Sequence, residues 1–221
     1  MKATLFVIVL TLFTACRTDK AGNTGGSASL AVGTDQPAID AVLTQALRTE
    51  GRSGSLAYRG QCDPSVGIRD TFSVTTARDR NSNMATVETI VGSNPSLQVA
   101  RAPDGFVRIT GVDMATDFMN LNIHHVAFRG ESEPNDALVD ILDTAEVKAY
   151  TEAHHIRLIP SYGTIRASEG LHSSRLSGER NDVTLSQALD QVLRTFPGLW
   201  TYKECVQPNG ERLVSVSFRS F

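Results

Sequence analysis

Several things are scarce in this sequence. Its 221 residues hold three cysteines and one tryptophan, and the formal charge is only −3. So slight an imbalance leaves no basic stripe to track a phosphate backbone, which argues against a nucleic-acid partner. No apolar run reaches the roughly 20 residues that a membrane-spanning helix needs. His-Glu-x-x-His, Cys-x-x-Cys and a Gly-rich phosphate loop are missing, and no Ser-x-x-Lys stands where a penicillin-binding site would need it. No catalytic residue and no cofactor is therefore expected from motifs.

What is present begins at the N-terminus. Lys2 precedes an apolar run over residues 3–13, too short to span a bilayer and placed like the core of a secretory signal. The run ends in Leu12-Phe13-Thr14-Ala15-Cys16, small residues before a cysteine. This resembles the bacterial lipobox. That resemblance implies cleavage after residue 15 and acylation of Cys16; the alternative is an ordinary signal peptide that happens to hold a cysteine. Residues 16–36 are rich in Gly, Ser, Thr and Ala without apolar periodicity, as in a flexible tether with a reach of roughly 25 Å. Arg17, not aspartate, follows Cys16. By the same resemblance, the expected location is the outer membrane, facing the periplasm, with the lipid as membrane anchor.

Losing Lys2 with the leader shifts the charge by one unit, to about −4. About 185 residues follow the tether, enough for one domain or two small ones. Two cysteines remain, Cys62 and Cys205. In an oxidising compartment an even pair is first a disulfide, here joining the start of the folded region to its end. Two buried free thiols are the alternative.

The fold class expected is α+β. Ile39, Val42, Leu43, Ala46 and Leu47 fall at helical spacing before Gly51, and a strand is predicted at 55–59. Residues 82–110 and 184–218 then share one order: short amphipathic helix, proline turn, strand, Pro-Asp/Asn-Gly turn, strand. Met84, Val87, Ile90 and Val91 form the apolar stripe of the first helix; Leu185, Ala188, Leu189, Val192 and Leu193 form that of the second. Thr184 with Gln187 has the spacing of a capping box. The order suggests two related helix–β-hairpin (βαββ-like) modules, over 37–115 and 116–221. Between the two look-alike segments, 82–110 and 184–218, lies a βαβ-like middle section: a strand at 121–128, helices from Pro134 and Val147, and a strand at 156–160. Residues 161–182 are polar and Gly/Ser-rich, which predicts a strand end and a long exposed loop.

Val183, Leu185, Ala188, Leu189, Val192, Leu193 and Leu199, with the Leu-x-x-Ala-Leu run, make the second segment similar to the secretin and TonB short N-terminal domain. That resemblance implies a periplasmic docking module without catalytic residues, and an envelope protein or peptide as partner.

His124-His125 and His154-His155 are adjacent pairs, with His172 alone. One histidine from each pair with Glu152 (His124, His154, Glu152) could ligate a metal and support a small envelope hydrolase, although no metal is the primary expectation. Gly51-Arg52-Ser53-Gly54-Ser55 fails the nucleophile-elbow pattern at its last position. Asp136, Asp140 and Asp143 fall on the solvent side of the helix from Pro134; with Glu131 and Glu133 nearby, a weak acidic patch is expected. Tyr58, Trp200 and Tyr202 are candidate binding aromatics, with packing around the disulfide as the default.

Overall fold

The structure is a computed structural model and describes residues 38–72, 86–159 and 174–221. The leader, Cys16 and the tether lie outside the described residues, as do Met84, His172 and the first part of the predicted 161–182 loop. The protein is α+β.

Helix α1 (Ile39–Thr49) buries Ile39, Leu43, Ala46 and Leu47, positions that share one face at 3.6 residues per turn. It leads into β1 (Gly54–Arg59), whose first five residues are all buried. A strand covered on both faces belongs at the centre of a sheet. There β1 lies parallel to β5 (Val107–Gly111) on one side and to β9 (Gly198–Val206) on the other. Beyond β5 lies β4 (Leu97–Arg101). Beyond β9 lie β10 (Arg212–Ser220) and the short β7 (Ile156–Ile159). The order of the six-stranded sheet is β4-β5-β1-β9-β10-β7, so strands from both sides of residue 115 share it.

Its two faces carry separate cores. Leu56, Tyr58, Val107, Ile109 and Leu199 meet α1 and α2 (Val87–Gly92). Ala57, Trp200, Tyr202, Val214, Val216 and Phe218 meet α3 (Pro134–Leu142), α4 (Ala145–Ala153) and α5 (Leu185–Thr195). Over α3 and α5 lies a two-stranded ribbon, β6 (Asn122–Glu131) with β8 (Leu176–Thr184), which adds Ile123, Val126, Phe128 and Leu176 to the same core. A small hairpin, β2 (Gln61–Asp63) with β3 (Gly67–Arg69), is a sheet of its own.

Both predicted helix–hairpins exist. Thr86 and Thr184 cap α2 and α5 by accepting the amides of Thr89 and Gln187, and Thr184–Gln187 forms the full capping box. The hairpin turns match bond for bond. Gly105 N donates to Ala102 O and Gly210 N to Gln207 O; both glycines sit at φ 86°. Asp104 and Asn209 accept the amide two residues on. Helices α2 and α5 cover opposite faces of the sheet.

The structure differs from the sequence reading in the middle. β6 and β7 lie in different sheets, so they do not form a βαβ unit. Residues 176–182, expected as exposed loop, are strand β8. Most of that strand is exposed and polar because only one side of the ribbon faces the helices, leaving little apolar alternation to read. Among the described residues no helix is long and apolar enough to cross a membrane.

Candidate functional site

Cys62 and Cys205 are bonded, with Cα atoms 5.3 Å apart, and the bridge ties β2 to β9. The three candidate binding aromatics are interior. Tyr58 and Tyr202 have no exposed surface and Trp200 is 3% exposed, so none is available as a binding surface. On β9, period-two alternation sends residues 200, 202 and 204 to one inner face, where each polar tip is used. Trp200 Nε1 donates to Asp190 (2.9 Å), which also takes both Nη atoms of Arg108 at 2.7 Å. Burial raises the Asp190 pKa, while Trp200 and Arg108 oppose that rise. Tyr202 donates to Glu204 Oε2 at 2.9 Å. Glu204 is fully buried and is held by Arg59 at 2.8 Å and Arg212 at 2.7 Å. Tyr58 donates to Asp70 at 2.5 Å, and Lys203 reaches the same oxygen at 2.9 Å.

The metal set His124, His154 and Glu152 is not brought together: among the described residues no group of three His, Cys, Asp or Glu side chains could hold a metal ion. His124 sits on the exposed ribbon with its Nδ1 3.0 Å from Asp182, whereas His154 caps α4 and stacks on Tyr150 with ring centres 4.1 Å apart. The Asp182 hydrogen bond raises the His124 pKa, reinforced by the charges of Asp182 and Glu146.

Among the described residues, two of the surface concavities bear on function. One, of about 390 Å³, is lined by Arg129, Glu131, Asp136, Val139 and Asp140, the acidic patch expected from sequence. Burial and the hydrogen bond to Glu131 raise the Asp140 pKa. Burial also acts upward on Glu131, but bonds from the backbone amides of Glu131 and Arg129 and from Asp140 carry it below the ordinary value. Among the described residues Glu131 Oε2 is buried without a hydrogen-bond partner.

The second concavity, of about 570 Å³, opens between the end of α4 and the β9–β10 turn and is lined by Thr151, Glu152, His155, Ile156, Asn209, Gly210 and Glu211. Its walls are fixed. His155 takes a left-handed φ of 51° where α4 stops, and its carbonyl accepts Arg212 N at 3.0 Å. Arg157 pairs with Glu211 at 3.2 Å, and Thr151 Oγ1 is spent on Lys148 O. Tyr150 and Arg212, which adjoin the lining residues in sequence, converge on Asp117 Oδ2 at 2.5 and 3.0 Å. Burial works upward on Asp117, but Tyr150 and Arg212 lower its pKa to about 2. Among the described residues the side chains of Glu152 and His155 carry no hydrogen bond, so the concavity presents an unused carboxylate and imidazole on a braced rim.

The sequence reading missed Glu204, Arg212, Asp117 and Asp190. For Glu204 a signal existed: it has the inward parity of Trp200 and Tyr202 on a strand that is otherwise buried on that side. Asp117 and Arg212 meet only through the tertiary fold, 95 residues apart. No family model, no curated protein and no solved structure matches the chain.

Proposed function

We propose that this chain is a docking module of the bacterial envelope, anchored by a lipid on Cys16 and facing the periplasm, and that it binds an envelope protein or peptide. The observation that carries the reading is the open concavity between α4 and the β9–β10 turn, with Glu152 and His155 unengaged on a rigid rim. An open recess of mixed lining suits a side chain or turn of a partner better than it encloses a small molecule. The 62–205 bridge is consistent with an oxidising compartment. We read the two helix–hairpins as copies of one module, on the strength of their matching caps and turn bonds, in keeping with the resemblance to the secretin and TonB short N-terminal domain.

Site-specific photocrosslinking in cells tests the docking site. A crosslinker at Glu152 or Asn209 is expected to give a discrete adduct that one at Gln98, on the far edge of the sheet, does not. The same adducts from all three positions, or none from 152 and 209, overturn the assignment. Metabolic labelling with a palmitate analogue, abolished by Cys16→Ala, is the expected result for the anchor.

A further inference from the structure

The hairpin β2–β3 stands apart from everything that holds the rest of the fold. Its strands are three residues each, and none of its side chains is buried. Neither hydrophobic core includes any residue from 60 to 70. An isolated two-stranded hairpin is marginal in water. Yet this one is laid across β9 and β10, where it covers Cys205 and Leu213, 1% and 3% exposed, with Gly67 backed against Ile159.

Three fastenings keep it there. At its start Gly60 N donates to Glu204 O at 2.8 Å. Just past its end Asp70 is gripped by Tyr58 and Lys203. Between these pins the strands are joined to the sheet chiefly by the Cys62–Cys205 bond; a weak contact from Cys205 Sγ to Gly67 O, at 3.9 Å, adds little.

We propose that residues 61–69 form a strap, fastened by the Cys62–Cys205 disulfide and released, with the body still folded, when a dithiol reduces that bond. The chemistry is ordinary exchange. A thiolate of the dithiol attacks Sγ of Cys62, the less buried of the two residues, and the bond to Cys205 breaks with Cys205 leaving as a thiolate that takes up a proton. The second thiol of the dithiol then closes its own disulfide and expels Cys62. Two electrons and two protons pass from the dithiol to the protein. The pins at residues 60 and 70 survive, so the strap swings open between fixed ends and uncovers Cys205, Leu213 and Ile159. This inference does not depend on the docking reading.

Hydrogen exchange read by mass spectrometry, on the full chain before and after dithiothreitol, tests it. Reduction is expected to speed amide exchange over 61–69 by about tenfold or more, while β1, β9, β10 and α5 change by less than about threefold. Iodoacetamide is expected to label Cys205 as well as Cys62 in the reduced protein. A Cys62→Ser, Cys205→Ser double variant is expected to reproduce the reduced exchange pattern without reagent. Unchanged exchange at 61–69 with Cys205 still shielded overturns the proposal, because the hairpin is then held without the bond. Loss of protection across β1, β9 and β10, or a double variant that does not fold, overturns it equally, because the bond then holds the whole body.

Discussion

At the residue scale, the three candidate binding aromatics, Asp190 and Glu204 are spent inside. Glu204 satisfies two arginines and a tyrosine at zero exposure, so Glu204→Gln takes the counter-charge from Arg59 and leaves Arg212 with Asp117 alone. A hydrogen bond to a charged group is worth about 1.5–3 kcal/mol, and urea unfolding of the variant is expected to show a loss of that order. Trp200→Phe removes the bond to Asp190 together with part of a buried ring, for an expected loss of about 2–4 kcal/mol in the same assay. His124 lies at the surface, where its raised pKa is set by Asp182. Asp182→Asn is therefore expected to bring the His124 titration, followed by NMR, down toward the ordinary imidazole value. The aromatic positions on β9 were legible from alternation. The Asp190–Arg108 pair behind Trp200 was not, because its members lie 82 residues apart and nothing local couples them.

At the element scale, the elements with both a strong period and punctuation were readable. Helix α5 has five apolar residues on one face and a Thr-x-x-Gln start, and both proved real. Thr184→Ala removes the acceptor for Gln187 N and is expected to cost about 1 kcal/mol by thermal or urea unfolding. β8 escaped notice because a ribbon wet on one side offers only Leu176 and Val183 as apolar markers. The pairing of β7 with β10 was equally hidden, since a strand of four residues carries no record of its neighbour. Gly198 opens β9 where the backbone of Arg219 crosses close by: an added Cβ would sit 2.1 Å from Arg219 O. Gly198→Ala is expected to destabilise by about 3 kcal/mol or more, since neither backbone segment can give way.

At the scale of the whole molecule, two carboxyls pull stability in opposite directions with pH. The Asp117 pKa is depressed to about 2, so its contribution is present above the ordinary carboxylate value of 3.8 and is lost as pH falls through about 2. The Asp140 pKa is raised, so the stability it lends is complete below 3.8 and is lost as pH climbs through the raised value. Asp140→Asn keeps a donor for Glu131 without the charge. It is expected to unfold at higher urea than the parent at pH 7, with the advantage vanishing near pH 3.

The central strand also dictates a timetable. β1 emerges early in synthesis, but one of its two neighbours is β9, encoded some 140 residues later. The middle of the sheet must therefore wait, half-dressed, for nearly all of the polypeptide to emerge. Throughout that wait Cys62 is a thiol without its mate, and Cys16 has already arrived. On the proposed acylation, the lipid does a second job: it removes from circulation the one sulfur that could claim Cys62 before Cys205 appears.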